Sequence, residues 1–289
     1  MLKFLGWLFA AGFMIVIGVA AAALYIIIDV SKDLPDYKQL AAYEPPVMTR
    51  MHAADGSLLA EYAEQRRLFV PIENVPKKLI QAYLAAEDKT FYTHSGLDYR
   101  GIFAAAVRYV QVKGTGRGQI VGASTITQQV AKNFLLTNEV SFTRKIKEAL
   151  LALRIERTYS KDKILELYLN EIYLGLSAYG VAAASLVYFD KSVNELSISE
   201  AAYLAALPKA PAILHPVRNR DRAIERRNYV IDRLVENGWV KQADAEKARK
   251  DPLNVSGRPG GAHIYASEYF AEEVRREVFE RYGEKKLYE

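Results

Sequence analysis

The sequence predicts a mainly α-helical protein with one transmembrane helix at its N-terminus and a small β-hairpin at the near edge of its body. Three observations carry that prediction. No charged residue interrupts Phe4 to Ile28. Asp55-Gly56 lies between two short runs of mixed apolar and polar residues, which is a hairpin signal. Beyond Pro76 the apolar residues recur at helical spacing for most of the remaining chain, as amphipathic helices require.

Taken in order, residues 1–3 form a short cytoplasmic end and residues 4–28 a membrane helix, long enough at 1.5 Å per residue to cross roughly 30 Å of hydrocarbon. The run Ala20 to Ala23 imitates a signal-cleavage site, but cleaved signals have apolar cores of only about 7 to 15 residues. We therefore read 4–28 as an uncleaved signal-anchor. Lys3 ahead of it favours a cytoplasmic N-terminus and an exported body. Pro35, Pro45 and Pro46 punctuate 29–46 as a stalk. In the body, helix starts such as Ser197 with Glu200 and stops such as Gly175, Pro208 and Gly238 recur. Gly114-Thr115-Gly116-Arg117-Gly118 reads as a mobile flap and lacks the Lys-Ser/Thr ending of a phosphate-binding loop.

Composition narrows the function class. Apolar residues make up 51% and charged residues 25% of the chain, which excludes a mostly disordered protein. A net charge of +5 suits an anionic membrane surface or a phosphate-bearing substrate, although many proteins without such partners share it. No nucleic-acid partner is expected. Without cysteine there is no disulfide framework, thiolate metal site or cysteine nucleophile.

Three constellations could carry chemistry. In the first, Glu87-Asp88 with Phe91, His94 and Gly96, a helix from about Pro76 turns Leu79, Ile80, Tyr83 and Leu84 to one face. Glu87 closes that stripe at i+4 from Tyr83. Partial burial and the adjacent Asp88 would raise its pKa toward that of an effective proton acceptor. An ordinary solvated helix end is the alternative. In the second, Gly122 through Asn133, Thr125 and Gln128 match a capping box whose free N–H groups and dipole attract phosphate. There Thr125, Gln128, Gln129 and Lys132 share a polar face against Ile126, Val130 and Phe134. That face suits sugar hydroxyls and a phosphate, or is plain surface. In the third, Phe142, Ile146, Ala149, Leu150 and Leu153 mark a buried side, with Glu148 at its margin beside Arg144 and Lys145. Those cations would keep Glu148 ionised, the opposite treatment from Glu87 and the pattern that acid–base division of labour needs. A simple intrahelical ion pair is the alternative.

Other segments look architectural: Lys163 to Gly175, and Glu225 to Val230 with its paired arginines. Lys209, after Pro208, could reach a phosphate from a loop. Ser160-Lys161-Asp162-Lys163 matches the Ser-x-x-Lys of penicillin-recognising serine enzymes only formally, since it reads as a helix start and has no Lys-Thr-Gly or Ser-Asp-Asn companion.

In their order along the chain these segments resemble the peptidoglycan glycosyltransferase domain of class A penicillin-binding proteins, glycosyltransferase family 51. The likeness rests on Glu87-Asp88 with Phe91, His94 and Gly96, on Gly122 to Gln129, on Arg144-Lys145 with Glu148, on Ile164 to Asn170, and on Arg226-Arg227 to Val230. It implies a lysozyme-like fold of two lobes with a membrane-associated jaw near Ile102 to Val121, and a domain over 47–245. Residues 246–289 would then begin a linker toward an absent transpeptidase domain, as Tyr269 to Tyr282 suggests. The implied substrate is lipid II together with the nascent glycan strand. Glu87 would deprotonate the acceptor 4-hydroxyl and Glu148 assist the leaving side. Asp88, Phe91, His94, Ser124, Thr125, Gln128, Gln129 and Asn133 would line the site, and Lys132, Arg144, Lys145 and Lys209 hold phosphates. The implied location is the bacterial inner membrane, single-pass, with the body on the periplasmic side and cell-wall synthesis proteins as partners. No cofactor is required. Mg2+ could accompany the pyrophosphate, although no acidic or histidine cluster specifies a metal site. Asp190 stands where the family leads us to expect glycine, which puts a local turn in question. The rival readings are a lysozyme-like hydrolase and a noncatalytic envelope scaffold.

Overall fold

A computed structural model describes residues 2–43, 49–52, 58–62, 66–115, 122–137, 139, 141–256 and most of 274–283. The N-terminal helix α1 spans Leu2–Lys32, and Gly12–Lys32 within it is apolar and long enough to cross a membrane. Many of its large side chains, such as Phe9, Phe13, Ile15 and Tyr25, face outward from the protein, as lipid-facing residues do.

The predicted stalk is strapped to the body and does not act as a free spacer. Residues 29–32 continue α1, and a 3-10 helix follows at Tyr37–Ala42 with Asp36 capping it. Leu40 is buried in the main core. The Tyr159 hydroxyl donates to the carbonyl oxygens of Tyr37 and Lys38 at 3.2 Å. Tyr43 donates to Glu171 at 2.6 Å, which is also ion-paired with Arg67. Burial of Leu40 and this polar clamp outweigh the extended bias of the prolines.

The hairpin forms as predicted, with β1 (Thr49–His52) antiparallel to β2 (Leu58–Tyr62); its Asp55-Gly56 turn lies outside the described residues. A two-residue strand β3 (Arg66–Arg67) pairs in parallel with β4 (Ala178–Tyr179). The rest is helical: α2 (Lys77–Glu87), α3 (Tyr99–Thr115), α4 (Ile126–Leu135), α5 (Phe142–Thr158), α6 (Lys161–Glu171), α7 (Val181–Phe189), α8 (Ile198–Ala206), α9 (Arg220–Glu236) and α10 (Gln242–Lys250). Local chemistry sets the starts. Thr125 and Ser197 close full capping boxes with Gln128 and Glu200, and Ser141 and Ser160 cap α5 and α6. Ser160 accepts from the Lys163 N–H, so its Ser-x-x-Lys spacing is helix punctuation.

The body has two unequal parts. Around α2, α4 and α6 to α9 lies one continuous core, in which Tyr83 meets Tyr168, and Tyr188 meets Tyr203, edge to face at 6.0 and 5.6 Å. By contrast α3 buries no residue and exposes Tyr99, Phe103 and Val110. It is the arm where a membrane-associated jaw is expected. The helix runs on through Gly114 and Thr115, so these two residues of the expected flap are helical, and Gly116 to Gly118 lie outside the described residues.

Three further expectations change. Helix α5 turns Glu148, Leu151, Ala152 and Ile155 inward, leaving Phe142 fully outside. Apolar residues cover much of its circumference, and packing on α4 selects the other face. The body also continues beyond 245, because α10 crosses that position and buries Ala245 and Ala248, and Leu253 after it is buried as well. Asp190 caps α7 with φ 55° and ψ 40°. The turn that glycine would make is therefore kept by a residue that tolerates the left-handed region. Most of 269–282 lies outside the described residues.

Candidate active site

Glu87 is the last residue of α2, at the end of the stripe Leu79, Tyr83, Leu84 that buries the helix. It is itself partly buried. Its Oε2 accepts a 2.8 Å hydrogen bond from Gln129 Nε2 on α4. Burial holds its carboxyl above the ordinary glutamate range, and this outweighs the Gln129 hydrogen bond and the charges of Arg226 and Lys209, which pull the other way. Asp88 adds only a small upward push, so desolvation dominates.

Asp88 has a different task from its neighbour. Its carboxylate takes His94 Nε2 at 3.0 Å and the Ile126 N–H at 3.0 Å. Thr125 Oγ1 donates to the Gly96 carbonyl at 2.7 Å, and Gln128 Oε1 accepts from the Thr125 N–H at 3.0 Å. Phe91 is fully buried with Lys161 over its ring. Asp88, Phe91, His94, Thr125 and Gln128, all expected to line the site, thus face protein partners that hold its shape. The start of α4 is likewise no open phosphate cradle, because the Asp88 carboxylate already complements its dipole. Nor does the predicted polar face hold: Thr125 and Gln128 are buried, their hydrogen bonds satisfied locally.

Gly96 fixes this loop against the second acid. At φ 97° it sits in the region that favours glycine, and a Cβ there would lie 2.8 Å from the Ala152 carbonyl oxygen of α5. One turn before Ala152 stands Glu148, only 3% exposed. Lys145 Nζ lies 2.5 Å from Glu148 Oε2 and 2.9 Å from Ser124 Oγ, and Arg144 Nε lies 3.5 Å from Oε1. Glu148 is thus a buried carboxylate clamped between two cations, with Ser124 tying the clamp to the start of α4.

The fold therefore brings together two groupings: Glu87 with Gln129, facing Lys209 and Arg226, and Glu148 with Arg144, Lys145 and Ser124. Lys132 and Asn133 lie farther along α4 and make no side-chain hydrogen bond or ion pair among the described residues. The sequence places Arg226 in an architectural segment. Its partner Arg227 does fill that role, 1% exposed and bonded to Ser199 and to the carbonyls of Arg249 and Asp251. Arg226 instead lies over the Tyr229 ring at 4.3 Å and acts on Glu87. Adjacent positions on a helix point about 100° apart, so one arginine of the pair must leave the core, and that spacing was the available signal. Among the described residues no group of three or more His, Asp or Glu side chains is arranged to hold a metal ion.

Residues 55–235 match the family described as Transglycosylase. The chain is 50% identical over 276 residues to penicillin-binding protein 1A of Rickettsia conorii, covering 96% of this chain and 35% of that protein. It is 43% identical over 255 residues to penicillin-binding protein 1A of Escherichia coli K12, covering 88% and 29%. A crystal structure of penicillin-binding protein 1A from Haemophilus influenzae aligns with a TM-score of 0.50 at 30% identity, covering 85% of this chain and 26% of that one. The chain thus spans about a third of the length of these relatives.

Proposed function

The chain belongs to the transglycosylase family and carries a peptidoglycan glycosyltransferase domain, and on that premise we propose that it polymerises lipid II into β-1,4-linked glycan with Glu87 as general base. The supporting observation is the contrast between its two acids: an enclosed carboxyl with a raised pKa at Glu87, and a carboxylate clamped by cations at Glu148.

Glu87 takes the proton of the acceptor sugar's 4-hydroxyl. The resulting oxygen attacks the anomeric carbon of the donor from the face opposite the pyrophosphate, with inversion. The anomeric C–O bond breaks, its electron pair staying on the phosphate oxygen. A raised pKa strengthens Glu87 as an acceptor near neutral pH, and Gln129 orients it. Charge grows on the pyrophosphate as it leaves, so fixed cations stabilise the transition state more than the ground state. Arg144 and Lys145, held by Glu148, supply them; Lys209 and Arg226 serve the Glu87 side, and Lys132 and Asn133 extend the cleft along α4. A divalent ion carried by the pyrophosphate could share the charge. Helix α1 anchors the chain in the bilayer that confines both lipid-linked substrates, with the body on the outer side of the bacterial inner membrane, where α3 also rests its exposed apolar residues.

A hydrolase has no pyrophosphate to hold, which is why the cation clamp favours synthesis over cleavage. The test is to give the detergent-solubilised chain labelled lipid II and, separately, preformed glycan. We expect polymer from lipid II and none from the Glu87→Gln variant. Shortened glycan would establish a hydrolase, and a folded protein that does neither would establish a scaffold.

A further inference from the structure

Helix α6 places a hydroxyl in the core that the mechanism above does not use. Tyr168 is 1% exposed, and its Oη has no hydrogen-bond partner among the described residues. Leaving a hydroxyl buried and unpaired is costly, and native structures rarely do so without a reason. The other tyrosines of this core are satisfied: Tyr83, Tyr188 and Tyr203 donate to the carbonyls of Leu204, Leu174 and Leu214 at 3.1, 2.7 and 2.9 Å. Tyr168 alone of this set donates to none.

What surrounds Tyr168 points to its acceptor. Its ring meets that of Tyr83 edge to face, and Tyr83 lies one turn before Glu87 on α2. The two carboxylates that act on the hydroxyl are those of Glu87, the stronger, and Asp88. Asp88 already accepts from His94 and from the Ile126 N–H. Glu87 accepts only from Gln129 among the described residues, at Oε2.

We propose that Tyr168 is a positioning residue for the base, its hydroxyl donating to Glu87 Oε1 through one bridging water. The inference rests on Glu87 being the base. With Gln129 on one oxygen and Tyr168 on the other, the carboxylate is held from two elements, so the lone pair that takes the proton points in a fixed direction. The groups facing Glu87 are then Gln129 on α4, Arg226 on α9, Lys209 after α8, Tyr168 on α6, and Tyr83 and Asp88 from its own segment.

The experiment is the pH dependence of the initial polymerisation rate from labelled lipid II for wild type, Tyr168→Phe and Glu87→Gln, with thermal unfolding of each. A donor to the charged form lowers a carboxyl's pKa, so its removal raises it. Tyr168→Phe is expected to move the acid limb upward by about one pH unit, and to lower the rate at neutral pH about tenfold, with no loss of melting temperature. Replacing Tyr168 with 3-fluorotyrosine, a more acidic donor, is expected to move the limb downward. This second variant decides the matter should the phenylalanine protein fold poorly. An unmoved limb in both variants overturns the proposal, whether or not the rate falls, and leaves Glu87 as base if Glu87→Gln is inactive. An active Glu87→Gln overturns the base assignment itself.

Discussion

Two glutamates on separate helices, α2 and α5, receive opposite treatment from the same fold. Glu87 ends an apolar stripe and is answered by one amide and by cations that stand off from it. Glu148 is more deeply buried, yet sits in direct contact with Lys145 and Arg144. Burial alone therefore does not decide what a carboxylate can do. One placed against neutral partners becomes a better proton acceptor, whereas one placed against cations becomes the fixed counter-charge that organises them. The start of α4 keeps the two apart and in register, with Gln129 reaching one and Ser124 held by the lysine of the other.

Substitutions can break this contrast from either side. The largest effect is expected from Glu87→Gln, which removes the proton acceptor while keeping its shape; polymerisation should fall by about 10^3-fold or more in a lipid II assay. Glu148→Gln should fall on the order of 10^2-fold, because Arg144 and Lys145 lose the anchor that aims them. Its circular dichroism should stay that of the wild type, and full turnover would remove Glu148 from the mechanism. Gln129→Leu sharpens the other side. It deletes the amide that steadies charged Glu87, so the rate at neutral pH should drop about tenfold and the acid limb should move upward. The smallest effect tests the fold alone: Asp190→Gly relieves a left-handed backbone but adds chain entropy to the unfolded state. The net gain is expected to stay below about 1 kcal/mol in thermal unfolding, with activity unchanged.

The sequence was most legible where the interaction is local. Thr125 with Gln128, Ser197 with Glu200, and Glu87 at the end of its stripe are all decided within one or two helical turns, and each stands where the pattern puts it. Residues whose role depends on a distant partner read less well. The inward face of α5 could not be chosen from periodicity, because Ile146, Leu150 and Leu153 compete with Leu151, Ala152 and Ile155; only docking on α4 settles it. Nothing local reveals that the Asp88 carboxylate also takes the Ile126 N–H, 38 positions on. Arg226 and Arg227 are adjacent and chemically identical, and only the carbonyls of Arg249 and Asp251 select which of them is buried. The strapping of the stalk is hidden for the same reason, since Glu171 and Tyr159 lie more than a hundred positions away.

The pH dependence of the initial polymerisation rate, compared between wild type and Glu148→Gln, tests the division of labour most directly. The account predicts an acid limb above the ordinary glutamate range, with activity rising as Glu87 loses its proton. In Glu148→Gln that limb should stay in place while the rate falls at every pH. A limb that vanishes with Glu148, or one that lies at an unperturbed carboxylate pKa in the wild type, would contradict it.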